Sequence, residues 1–149
     1  MYKIEKSLSL KADLNKLFSF YLDPKNLKLL SSPSMDFKAI IQKVPIEKDS
    51  CFQIKLNLFP FIRVNWDLTV VELIENKIIV DFQRSGSFKF WRHKKKFEEL
   101  FDGTVILTDE IEYETKLGFL GILLNPIIKW RINNILNLRY KIIQSLFGG

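Results

Sequence analysis

Two hydrophobic periods alternate along the chain. In YKIEKSLSL, Tyr2, Ile4, Lys6, Leu8 and Leu10 alternate with mostly polar neighbours, the pattern of a half-buried strand. The spacing then changes: Leu14, Leu17, Phe18, Tyr21 and Leu22 fall at i, i+3, i+4, i+7 and i+8, one stripe of a helix with Asp13 as N-cap. Asp23-Pro24 restarts a second short helix over NLKLLS, because the N–H that Pro lacks is not needed at a first helical position, and SSPS ends it. From Asp36 to Thr115 the period is two. Breaks at Glu47-Lys48-Asp49, Phe59-Pro60, Glu75-Asn76, Ser85-Gly86-Ser87 and Asp102-Gly103 divide this region into about six strands joined by hairpins. Beyond Gly118 and Gly121 the helical period returns, with Leu120, Leu124, Ile128, Ile132, Ile135, Leu138, Ile142 and Leu146 as its apolar stripe. Asn125-Pro126 fits either a second N-cap with a first-turn Pro or a kink.

Strand, two short helices, about six strands and one long helix make an α+β arrangement, an antiparallel sheet covered on one face by the long helix. With 149 residues, and neither repeat nor linker, the sequence reads as one domain over 1–149. A content of 47% hydrophobic and 13% aromatic residues is that of a packed chain.

Charge and cysteine usage remove several functions. The net +6 arises from 23 bases mixed with 17 acids and without a basic tail, so it permits an anionic partner without specifying one. Cys51 stands alone, which excludes an internal disulfide, and with a single His the usual Cys/His zinc set is excluded too. No cofactor motif is present. No signal peptide is recognisable and no run of about eighteen apolar residues occurs, so a reduced, cytoplasmic chain is expected.

The unusual chemistry lies in FWRHKKKFEELFDGTVILTDEIEYETKLGFLG. A three-residue loop at Asp102-Gly103 that sets Phe101 opposite Val105 pairs Arg92 with Glu114, Lys94 with Glu112 and Lys96 with Glu110 on one face. The lysine run is then half of a solvated charge ladder. The other face carries Trp91, His93, Lys95, Phe97 and Glu99 against Val105, Leu107, Asp109, Ile111, Tyr113 and Thr115, with His93 opposite Tyr113, Phe97 opposite Asp109 and Lys95 diagonal to Asp109. That face points at the long helix. Each unpaired polar group buried there would cost on the order of 1–3 kcal/mol, so the groups satisfy one another or border a cavity.

The order of elements, with DFQRSGSFKFWRHKKKF, GTVILTDEIEYETKLGFLG and a last helix containing NLRY, resembles the SRPBCC superfamily of START domains, polyketide cyclases, pollen allergens and coenzyme Q binding proteins. More narrowly, Asp81, Gln83, Gly86, Phe88, Trp91, His93, Phe97, Gly103, Thr104, Asp109, Tyr113, Gly118 and Gly121 match the pattern of its small bacterial ligand-binding proteins. Ser87 stands where that pattern has Pro, and Lys95 where it has a second His, which puts any role for two imidazoles, a metal pair included, in doubt and makes Lys95 a candidate partner of Asp109. The resemblance implies a helix-grip fold, a curved antiparallel sheet of about seven strands wrapped around the long C-terminal helix, enclosing a small apolar, lipid-like or isoprenoid-like molecule.

Under that reading Trp66, Gln83, Trp91, His93, Lys95, Phe97, Asp109 and Tyr113 are the ligand-binding residues. The inward placement of Asp81 and Gln83 rests on the resemblance; that of Trp66 follows from its alternation with Val64, Leu68 and Val70. A rival reading is a cyclase or dehydratase with His93 as base, supported by Asp109 or Tyr113. A third is a module that touches a membrane or a partner through LNLFPFI, whose Phe59, Phe61 and Ile62 are too apolar for an ordinary hairpin tip and either cover a cavity mouth, contact such a surface or tuck against the first helices. Nucleic-acid binding is not expected, because the aromatics are not interleaved with the basic face. Lys129, Arg131, Arg139 and Lys141 surround the stripe of the last helix, an arrangement that serves either a sheet or an anionic membrane surface.

Overall fold

A computed structural model describes residues 1–148. Strand β1 (Tyr2–Lys11) leads into helix α1 (Leu14–Tyr21), two 3-10 turns at Pro24–Leu30 and Pro33–Met35, and strands β2 (Lys38–Ile41), β3 (Cys51–Phe59), β4 (Ile62–Ile74), β5 (Ile78–Gly86), β6 (Phe88–Glu99) and β7 (Thr104–Thr115); helix α2 (Phe119–Phe147) follows. The strands form one antiparallel sheet of seven in the order β1-β7-β6-β5-β4-β3-β2. It curves around α2 in the expected helix-grip fold.

Local chemistry accounts for the short helices. The Asp13 carboxylate accepts from the Lys16 amide at 3.1 Å, and that of Asp23 accepts from the Lys25 amide at 3.0 Å, so each caps the turn that follows it. The segment after Asp23 closes as a 3-10 helix, and Ser32-Pro33 starts a further turn within the stretch read as a terminator. Leu17, Phe18, Tyr21, Leu27 and Leu30 from these elements are all buried, closing one end of the sheet.

Two expectations need correction. The first is the β6–β7 register: Arg92 lies opposite Glu112, Lys94 opposite Glu110, His93 opposite Ile111 and Lys95 opposite Asp109, two residues from the anticipated pairing. The loop does have three residues, but they are Phe101, Asp102 and Gly103, with the Leu100 amide bonded to the Thr104 carbonyl at 2.8 Å. Gly103 has φ +85° and therefore takes the last loop position, where a left-handed backbone is needed. A slip of two preserves which side chains face inward. The charge ladder also survives, through Arg92–Glu112 at 3.3 Å and Lys96–Glu110 at 2.6 Å. Glu99, expected inside, is exposed because β6 runs past the covered part of the sheet.

The second correction concerns α2. The buried positions are Gly121, Ile128, Ile132, Leu136, Tyr140 and Ile143; Leu120 and Leu146 are exposed, and Ile135, Leu138 and Ile142 only half-buried. Apolar residues occupy nearly the whole circumference of this helix, so periodicity could not select its phase, and the sheet did. Pro126 sits inside the continuous helix, and Asn125 is not an N-cap: its side-chain oxygen accepts from the Tyr113 hydroxyl.

Candidate ligand cavity

Alternation along three neighbouring strands sends a group of polar side chains inward. Asp81 of β5 lies opposite His93 of β6, and Lys95 of β6 lies opposite Asp109 of β7. Each carboxylate pairs with the diagonal neighbour, within reach of long side chains on one sheet face. Lys95 Nζ donates to Asp81 Oδ2 at 3.0 Å, and His93 Nε2 lies 2.6 Å from Asp109 Oδ1. Asp109 Oδ2 also accepts from the Tyr140 hydroxyl of α2 at 2.7 Å. Lys95 is thus the partner of Asp81, not of Asp109 as expected. All four strand residues are buried.

The electrostatics follow from that burial. Burial first, and the Lys95 charge second, push the His93 pKa below its ordinary value against the pull of Asp109, so the imidazole is neutral near pH 7 and its Nε2–H donates to the carboxylate. Burial opposes ionisation of Asp109, but the hydrogen bonds from His93 and Tyr140 and the nearby Lys95 charge outweigh it and hold its pKa below the usual range. Burial and the Asp109 charge raise the Tyr140 and Tyr21 hydroxyls far above theirs, so both remain protonated donors.

These directions predict an acid-sensitive interior. In the unfolded chain His93 takes up a proton near pH 6.5 and the folded ring resists it, so stability is complete above that pH and declines below it. Asp109 adds a further loss as pH falls below 3.8. We expect a lower urea midpoint at pH ~5 than at pH ~7.5, and nearly equal midpoints for His93→Gln, which keeps an N–H donor for Asp109. An undiminished pH dependence in that variant would exclude His93 as its source.

Between this cluster and α2 lies a cavity of about 60 Å³. Its walls are mostly apolar: Leu56 and Leu58 of β3, Trp66 and Leu68 of β4, Phe88 and Trp91 of β6, and Ile132 and Leu136 of α2. Trp66 stacks on Phe88 with centroids 5.7 Å apart, and Trp91 lies within 5.0 Å of both rings. Asp81, His93, Lys95 and Arg139 supply the polar part of the lining. Three buried polar atoms are without a hydrogen-bond partner among the described residues, Trp66 Nε1, Asp81 Oδ1 and Arg139 Nε, and all three residues border this cavity.

Of the expected ligand-binding residues, Trp66, Trp91, His93 and Lys95 reach the lining and the others do not. Gln83 is a backbone clamp, donating to the Phe88 carbonyl at 2.7 Å. Phe97 packs edge-on against Phe18 and Tyr21, beneath α1. Asp109 stands behind His93, and Tyr113, opposite Trp91, is tied to Asn125 with burial pushing its pKa up to about 12. Sequence reasoning missed Arg139, which reads as a flanking base, and Tyr140, although both follow the buried Leu136 by one helical turn. Asp81 belongs to the motif but not to the expected binding set; the β5–β6 register brings it in.

A second cavity adjoins the first. A groove of about 430 Å³ runs between the β3–β4 hairpin and the first half of α2, lined by Phe59, Ile62, Val64, Leu124, Ile127 and Ile128 among others. Leu58 and Phe88 border both spaces and form the partition between them. Arg131 of α2 donates through Nε to the Leu58 carbonyl at 2.6 Å, tying the helix to the strand at this partition.

The curved seven-stranded sheet closed over a long helix is shared with solved structures of a START superfamily protein and of a major latex-like protein. A START superfamily protein from Mycobacterium smegmatis superposes with a TM-score of 0.74 at 16% identity, over 96% of this chain and 94% of its own. A protein from Thermus thermophilus gives 0.74 at 13% identity over 97% and 98%. A major latex-like protein of Panax ginseng gives 0.70 at 13% identity over 97% and 95%. No protein-family model matches the sequence, and no curated protein matches it. The chain shares the fold of these structures at a distance where sequence similarity has faded.

Proposed function

We propose that the protein binds a small, mostly apolar molecule with an oxygen-bearing end, lipid-like, isoprenoid-like or polyketide-like, between the sheet and α2. One observation carries this reading: the three residues with a buried polar atom left unpartnered among the described residues all border one mostly apolar cavity. Each would cost on the order of 1–3 kcal/mol if nothing met it. A carbonyl or carboxylate oxygen suits Trp66 Nε1 and Arg139 Nε, a hydroxyl suits Asp81 Oδ1, and the aromatic and aliphatic walls supply the apolar contact.

At about 60 Å³ the inner cavity holds a polar head but no hydrocarbon chain. Ligand pockets commonly run to roughly 300–1,000 Å³, a size the adjoining groove does reach. The head would sit inside and the chain would extend past Leu58 and Phe88 into the groove. The test is a titration with cis-parinaric acid, a fluorescent fatty acid. Saturable binding near one equivalent, with energy transfer from tryptophan, is expected. Failure of this probe, a quinone and a sterol to bind would remove the reading.

His93, which borders the cavity and is held by Asp109 behind it, also has the geometry of an oriented general base, which favours a cyclase or dehydratase as the second reading. The lowered basicity of His93 counts against it. If catalysis is the function, His93→Ala abolishes turnover of a polyketide-like substrate and leaves its binding nearly intact.

A further inference from the structure

The first four turns of α2 carry two apolar faces. Gly121, Ile128 and Ile132 face the sheet and are buried. At 100° per residue, Phe119, Leu123 and Trp130 fall on the opposite side, and they are 73%, 59% and 60% exposed. Across the groove, the β3–β4 tip adds Phe61 at 106% and Ile62 at 53%. The tip therefore does not tuck against the first helices, since Phe61 projects freely. A helix apolar on all sides is ordinarily buried on all sides. Exposed apolar residues scattered singly are normal, but a continuous field of them beside an apolar groove marks a surface that meets something.

Charge decides what that is. From Lys116 to the C-terminus there is no Asp or Glu, against five bases, and from Cys51 to Asn65 there is again no acid, against Lys55 and Arg63. The two segments that form the field therefore carry only positive charge. Lys129 and Arg131 stand about 100° to either side of the exposed stripe, and Lys116 and Arg63 line the groove. Arg63 is paired with Asp36 at 3.3 Å, but a second copy of the chain would still present the same base-rich segments and set cations against cations. An anionic bilayer presents the opposite charge above an apolar interior. No helix of the described residues is long and apolar enough to span a membrane, so the contact is peripheral.

We infer that this face, formed by the exposed side of α2 from Phe119 to Trp130 and the Phe61–Ile62 tip, docks the protein on anionic phospholipid. The aromatic and aliphatic side chains enter the acyl boundary and the flanking bases meet the head groups. The groove then opens onto the bilayer, and a lipid-like ligand passes from the membrane past Leu58 and Phe88 toward Arg139. That last step rests on the ligand-binding reading above; the docking does not.

The experiment is flotation of the full chain with vesicles of phosphatidylcholine alone, or with about one third phosphatidylglycerol, at ~0.1 M salt. Expected is binding to the anionic vesicles at least tenfold tighter than to the neutral ones, weakened by ~0.5 M salt, with a blue shift of fluorescence absent in Trp130→Phe. Phe61→Ser with Leu123→Ser, both exposed positions, should reduce binding at least tenfold while the thermal midpoint and cis-parinaric acid binding stay unchanged. No preference for anionic vesicles overturns the inference, as does a stable dimer whose interface these two substitutions abolish. Loss of docking with retained parinaric acid binding leaves the ligand reading standing; docking without parinaric acid binding does the reverse.

Discussion

Lys95→Met will lower the unfolding free energy by about 3–5 kcal/mol, the largest single-site loss expected in this protein. Lys95 and Asp81 are 4% and 6% exposed, and their contact at 3.0 Å is the only hydrogen bond the Asp81 side chain makes to the described residues. Removing the ammonium strands a buried carboxylate with no hydrogen-bond donor among the described residues. Most of the loss should return in Lys95→Met combined with Asp81→Leu, because removing both charges also removes the desolvation penalty that the pair carries. Urea unfolding of the two variants measures this. A single variant within about 1 kcal/mol of the parent would show that water, not Lys95, satisfies Asp81.

Arg139→Leu should behave in the opposite manner, with little change in stability and a large change in affinity. Its buried Nε has no hydrogen-bond partner among the described residues, so removing it orphans no group there. A charge-assisted hydrogen bond contributes roughly 1.5–3 kcal/mol, so cis-parinaric acid should bind about 10- to 100-fold more weakly. The methyl ester of the same probe, which lacks the charge, should discriminate far less between parent and variant. Equal loss for acid and ester would mean that Arg139 acts through packing alone. Arg139 and Lys95 thus separate two uses of a buried cation, one meeting a group of the protein and one facing the cavity.

How far each residue's role was legible depended on the range of the interaction that decides it. His93, Lys95 and Asp109 were readable as inward because alternation is local and a two-residue register slip does not change the face. Their partners were not readable, since the slip between β6 and β7 made His93 diagonal to Asp109, and the separate β5–β6 register brought Lys95 to Asp81. Gly103 held the missing clue: only the third loop position demands its positive φ, and placing it there yields the observed pairing. Gln83 and Phe97 shared the face and the motif of the other candidates, yet Gln83 is taken up by the Phe88 backbone and Phe97 by Phe18 and Tyr21, so neither lines the cavity.

By itself the sequence determined the order of elements, the inward face of β1, β4, β6 and β7, the capped turns and the charged ladder outside, because each depends on neighbours within a few positions or on a two-residue alternation. It also determined that the last helix is apolar around its circumference and free of acids. Only the tertiary structure decided which of that helix's faces the sheet covers, and hence that Arg139 and Tyr140 turn inward while Phe119, Leu123 and Trp130 remain outside. A helix with apolar residues on every side has no intrinsic phase; the shape of the sheet it packs against supplies one.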